Sequence, residues 1–207
     1  MRGIGEIGLY GILTDPLVGY PRLAEIMVER GVRVIQLRIK NAPAAEVLRE
    51  ARRLREIVPA DRVFVVNDDA RIARDCGADG VHLGQQDAPL SEARKLLGDE
   101  AVIGLSTHTP EQTRSACALE PSYVGVGPVF PTPTKENPDP AIGLDGMHEM
   151  ISVADVPAVV LGGIDHSNVD EVLAAGARNI AAVRCVNRTA DPGEAIDRLM
   201  ESISTAG

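Results

Sequence analysis

Eight short apolar runs, each followed by a segment with helical spacing, constrain this chain more than any other feature. The runs cover 9–13, 32–37, 63–66, 81–83, 101–105, 123–126, 158–161 and 179–183. Apolar runs of this length, bounded by Gly, Pro, Asn or Asp, predict strands. Helical segments are expected between them. Leu23, Ile26 and Met27 share a helical face that Gly31 ends, Pro43 opens a helix over 44–58, and Thr109-Pro110-Glu111 combines a cap with a proline at the first helical position. Further helices are expected over 143–153, 168–175 and 192–202. Gly77-Ala78 and Gly176-Ala177 each end a helix and lead into a strand. Strict βα alternation predicts a parallel sheet, and eight units predict closure into an α/β (β/α)8 TIM barrel, one domain over residues 1–207. An open doubly wound sheet normally carries a glycine-rich turn after its first strand, and Thr14-Asp15-Pro16 is no such turn.

Composition narrows the partners. The chain has 21 Lys and Arg against 30 Asp and Glu, a net charge of −9, and 2% aromatic residues without Trp. Nucleic acid and anionic membrane surfaces are therefore not expected partners, since both demand cationic and, for bases, stacking surfaces. An acidic chain that binds an anion must gather its cations locally. Cys76, Cys117 and Cys185 have neither metal-site nor redox-pair spacing. With no apolar leader in the first eight residues and no membrane-length run, they read as reduced thiols of a cytoplasmic protein.

In a TIM barrel the active site lies at the C-terminal ends of the strands. Gln36 lies at the end of the predicted strand 32–37, and Arg38, Lys40, Asn67, Asp68, Asp87, Ser106, Thr132, Thr134, Lys135 and Gly163 all follow predicted strands. Each has a plainer alternative: Asp68 or Asp69 as a helix cap, Asp87 as a turn residue, Arg38 and Lys40 as solvated charges, Ser106 as a cap. Their joint placement at one end of the barrel is what points to a site. The segment Gly127-Pro128-Val129-Phe130-Pro131-Thr132-Pro133-Thr134-Lys135 is stiffened by three prolines and offers two hydroxyls and a cation, a set suited to phosphate or diphosphate. Asp68 and Asp87 end adjacent strands and suit Mg2+, which takes one or two carboxylates plus phosphate oxygens. Gly162-Gly163, after strand seven, is a second expected anion site, with a tight turn as its alternative.

Gln36-Leu37-Arg38-Ile39-Lys40, Asn67-Asp68, the run from Gly77 to Gln85 with Asp87, Gly127-Pro128-Val129-Phe130 with Thr132-Pro133-Thr134-Lys135, and Gly162-Gly163-Ile164 together resemble the thiamine-phosphate synthase family, in order, over about residues 9–199. The resemblance implies a TIM barrel that joins a hydroxymethylpyrimidine diphosphate to a thiazole ethyl phosphate and releases diphosphate by a dissociative step. It implies that Gln36, Arg38, Lys40, Asn67, Ser106 and Lys135 hold the pyrimidine diphosphate, with Arg38, Ser106 and Lys135 acting in catalysis. It further implies Asp68 and Asp87 on Mg2+, and Thr132, Thr134 and Gly163 on the thiazole phosphate. The expected partners are these small phosphorylated molecules, and a homo-oligomer is compatible with the sequence. One pair departs from the pattern: a hydrophobic residue followed by Ser after strand eight is here Val183-Arg184. Arginine can pair bidentately with phosphate, but it can also crowd the pocket.

Two other readings compete. A thiazole tautomerase of the same fold would need a proton carrier, for which His82 and His108 are available, although strand-end histidines are more often simply hydrogen-bonded. A non-catalytic barrel that senses a phosphorylated ligand is the other, with Arg184 as its only support.

Overall fold

The computed structural model of the protein describes residues 4, 7–132 and 139–206. Its strands are β1 (Tyr10–Leu13), β2 (Val34–Leu37), β3 (Val63–Asn67), β4 (Gly80–Leu83), β5 (Val102–Thr107), β6 (Tyr123–Val126), β7 (Ala158–Leu161) and β8 (Asn179–Ala181). They lie in chain order in one eight-stranded sheet whose neighbouring pairs are all parallel. Leu9 bridges Ile180, and Ile180 N donates to Gly8 O at 2.9 Å. This brings β8 back beside β1 and nearly closes the (β/α)8 barrel. The helices are α1 (Tyr20–Glu29), α2 (Ala44–Ile57), α3 (Ala70–Cys76), α4 (Leu90–Leu97), α5 (Pro110–Cys117), α6 (Gly143–Ser152), α7 (Val169–Ala174), α8 (Arg184–Asn187) and α9 (Pro192–Ala206).

Strand residues point alternately outward and inward, so both faces of the sheet are buried. Outward residues such as Leu13, Ile35, Phe64, Ile103 and Val124 join one core with the apolar faces of the helices. Each large aliphatic side chain buried there contributes about 1.5–3 kcal/mol relative to exposure. Inward residues, among them Tyr10, Ile12, Val34, Val65, Val102, Tyr123 and Val159, form a separate core with Ile4 and Ile7. The lower barrel is thus filled, and only its upper end is left to open. Local signals end the helices as expected. Asp69 caps α3 by accepting from Arg71 N (2.8 Å) and Ile72 N (3.1 Å), and Gly77 ends that helix with φ 71°.

Several boundaries shift from the sequence reading, and two of the shifts bear on the mouth of the barrel. Ser106 and Thr107 belong to β5, pairing with Gly125 and Val126 of β6, rather than to the loop after it. Strand β8 stops at Ala181 instead of 183, and Arg184–Asn187 forms the single-turn helix α8. Four residues are too few to display a helical repeat in sequence.

Candidate active site

A cavity of about 500 Å³ occupies the mouth of the barrel at the C-terminal ends of the strands. Of the residues expected there, Gln36, Arg38, Asn67, Ser106, Thr132, Gly163, Val183 and Arg184 line it. Lys40, Asp68 and Asp87 form a charged group beside it, joined by the Lys40–Asp68 ion pair. Thr134 and Lys135 lie outside the described residues. Glycine is required in the loop after β7: Gly162 and Gly163 have φ of 104° and 67°, and added Cβ atoms would stand 2.4 Å from Pro128 and 2.6 Å from Phe130. The pair therefore lets two loops of the mouth pack backbone against backbone. α7 starts at Val169, close to the expected position and beyond the turn that Gly162 and Gly163 make.

The β8–β1–β2 side of the mouth is basic. Arg38, Arg184 and Arg188 all line the cavity, and Arg188 also pairs with Asp15. Burial lowers the Arg38 pKa, but a guanidinium remains charged at neutral pH. The segment is held by Asn187, which is buried. Its Nδ2 donates to Ile12 O and Val183 O (both 2.8 Å), and its Oδ1 accepts from Thr14 N at 2.9 Å. These bonds tie α8 to β1 across the barrel seam. The loops after strands seven and eight, with a short extra helix, are where many barrels bind phosphate. Arg188 and Asn187 were not singled out from sequence, because their relevance depends on α8.

The β3–β4 side is acidic. Asp69 performs the capping, which leaves Asp68 available, and Asp68 sits at φ 67°, a left-handed conformation uncommon outside glycine. Asp87 Oδ2 accepts from Gly84 N at 2.6 Å. Burial raises the Asp87 pKa, and the neighbouring Asp68 raises it further by charge and by hydrogen bonding. Two adjoining carboxylates that resist sharing negative charge are a natural fit for a cation. Among the described residues no group of three or more His, Cys, Asp or Glu side chains is arranged to hold a metal. Mg2+ does not need one, since waters and substrate oxygens complete its shell.

Inside the barrel, beneath the cavity, runs a chain of side-chain hydrogen bonds. Gln36 Nε2 donates to Tyr10 OH at 2.9 Å, and the Tyr10 and Tyr123 hydroxyls meet at 2.6 Å. His82 Nδ1 lies 2.9 Å from Tyr123 OH, and His82 Nε2 lies 2.9 Å from Ser106 Oγ. His82 and Tyr123 are both paired in register with Gly104, one from each side. A Cβ at that glycine would come within 2.1 Å of the Tyr123 ring and 2.6 Å of His82 Nδ1. The glycine on the intervening strand is what allows the two rings to meet. His108 is also hydrogen-bonded, through Nδ1 to Gly127 O (2.6 Å) and Nε2 to Asp139 (3.2 Å). Tyr10 and Tyr123 were read from sequence only as apolar strand residues.

The fold and mouth together define a class: a (β/α)8 barrel with a cavity between an arginine-bearing side and a paired-carboxylate side. Residues 10–186 match the family model described as thiamine monophosphate synthase. The chain is 42% identical over 197 residues to a thiamine-phosphate synthase of Gloeobacter violaceus, covering 93% of this chain and 57% of that one, so it spans little more than half the length of that relative. It is 39% identical over 184 residues to a thiamine-phosphate synthase of Caldicellulosiruptor bescii, covering 88% and 84% of the two chains. The solved structure of a thiamine phosphate pyrophosphorylase from Pyrococcus furiosus superposes with a TM-score of 0.87 at 32% identity, covering 98% of each chain. The chain belongs to the thiamine monophosphate synthase family.

Proposed function

We propose that the protein condenses 4-amino-2-methyl-5-hydroxymethylpyrimidine diphosphate with a thiazole ethyl phosphate, giving thiamine phosphate and diphosphate. The observation that carries this reading is the carboxylate pair Asp68 and Asp87 adjoining a cavity that bears Arg38, in a chain of this family. Carboxylates beside a polyanion repel it unless a cation intervenes. Asp68 and Asp87 would hold Mg2+, which when bound supplies the positive charge that stabilises departing diphosphate. Arg38 faces the developing charge from the β2 side, with Lys40 and, from sequence, Lys135 adding to it. Ser106 and Asn67 donate hydrogen bonds, while Gln36 orients the ring at the cavity floor. Thr132, Gly163, Val183 and Arg184, with Thr134 from sequence, would receive the thiazole phosphate. None of these residues is asked to act as a nucleophile, in keeping with departure of diphosphate before the thiazole nitrogen attacks.

Neither alternative accounts for the paired carboxylates, which a thiazole isomerisation or simple ligand sensing does not need. We place the enzyme in the cytoplasm, where its three free thiols stay reduced. Among the described residues no helix is long and apolar enough to cross a membrane. The test is incubation with both substrates and Mg2+. Thiamine phosphate with stoichiometric diphosphate is the expected result. Isomerised thiazole without diphosphate, or tight binding without turnover, would overturn it.

A further inference from the structure

Counting protons requires the chain from Gln36 to Ser106 to run in one direction throughout, and the orientation of the Gln36 amide sets which direction that is. A phenol donates one hydrogen bond, and a neutral imidazole donates at one nitrogen and accepts at the other. Tyr10 and Tyr123 are 2% and 1% exposed, and burial raises both phenol pKa values, so each keeps its single proton. An unmade donor in this interior is costly, and the chain uses every proton only if all its bonds run the same way. Gln36 Nε2 donates to Tyr10. Tyr10 then donates to Tyr123, and Tyr123 to His82 Nδ1. With a neutral imidazole the ring proton then sits on Nε2 and is given to Ser106 Oγ, which leaves the Ser106 proton directed away from His82 and toward the cavity that Ser106 lines. Turning the Gln36 amide over would reverse every bond, and Ser106 would then offer only lone pairs to a ligand.

We propose that Tyr10, Tyr123 and His82 are positioning residues that fix this polarity, so that Ser106 presents a proton, and Gln36 its carbonyl oxygen, to the ligand. A phosphate or other oxyanion at Ser106 selects this direction, because it accepts and cannot donate. The match to a diphosphate rests on the function proposed above; the polarity itself does not. Gly104 supports the assignment, since its missing side chain makes the room in which Tyr123 and His82 meet.

The test has one arm independent of turnover. In full-length protein labelled with 15N-histidine, and with His82→Gln to assign the signal, His82 is expected as the neutral tautomer protonated at Nε2. In Tyr123→Phe, Nδ1 loses its donor, and the tautomer distribution is expected to shift. A native Nδ1-protonated ring, or a His82 signal unmoved in Tyr123→Phe, overturns the proposal. In the kinetic arm Tyr123→Phe is expected to lower kcat/KM for the pyrimidine diphosphate about tenfold, with the thiazole phosphate KM unchanged. Ser106→Ala should cost less in the Tyr123→Phe background than alone, and strictly additive losses would also overturn it. If the native protein makes no thiamine phosphate, the proposed function fails while the tautomer measurement still decides the polarity. Should Tyr123→Phe fail to fold, Tyr10→Phe breaks the same chain one link earlier.

Discussion

The two sides of the barrel mouth handle negative charge in opposite ways. Over β3 and β4, Asp68 and Asp87 adjoin each other with Lys40 as the local counter-charge. Over β8, β1 and β2, Arg38, Arg184 and Arg188 face the cavity, and Asp15 is paired with Arg188. One side can accept an anion directly; the other can do so only through a cation. A molecule with a net charge of −9 thus concentrates arginine on one side of the mouth and a carboxylate pair on the other, which under the proposed function would make room for two phosphorylated groups.

That contrast breaks most sharply at Asp87. Asp87→Asn keeps an oxygen for the Gly84 N–H and removes the charge. It is expected to lower Mg2+-dependent turnover at least about 100-fold, with thermal unfolding little changed. Unchanged turnover would mean that the acidic side does not hold a metal. The basic side is most exposed through its scaffold. Asn187→Ala takes the Asn187 side chain from the part-buried Thr14 N–H and the buried Ile12 carbonyl and is expected to lose about 2–4 kcal/mol in denaturant unfolding. A loss below about 0.5 kcal/mol would show that α8 is not held to β1 in this way.

A smaller effect distinguishes the two proposed anion sites from each other. Arg184→Ser is expected to raise the thiazole phosphate KM about tenfold, the size of one exposed charge-assisted hydrogen bond, with the pyrimidine diphosphate KM unmoved. A rise in the second constant instead would merge the two sides into one site. The least effect is at Cys185, which lines the cavity next to Arg184. Burial raises its pKa to about 11, with Asp165 adding to the rise. A raised pKa keeps the thiol protonated at neutral pH, so alkylation should be slow at pH 7.5 and accelerate as pH climbs toward 11. Fast alkylation at pH 7.5 would mean that the arginines dominate over burial there.

Much of the site was legible because barrel chemistry collects after strands, and strands announce themselves as short apolar runs. Gln36, Arg38, Asn67 and Ser106 could be placed at the mouth by that rule alone. Asp69 and Asp68 could not be told apart in this way. Choosing between them needs the backbone, which gives Asp69 the two α3 amides and turns Asp68 into a left-handed conformation toward Lys40. The α8 turn was hidden because four residues carry no readable period, and with it went Asn187 and Arg188.

The sequence by itself determined the repeated βα unit, and therefore the barrel, since alternating apolar runs and helical faces can all be buried only by wrapping helices around a parallel sheet. It also determined which strand ends carry charge. The tertiary structure alone decided what meets inside. Tyr10 and Tyr123 stand 113 positions apart, and their hydroxyls touch at 2.6 Å because the barrel closes and places them at one level. Pairing across a closed sheet depends on strand register and on the space left by residues such as Gly104, and neither quantity is a property of any one stretch of chain.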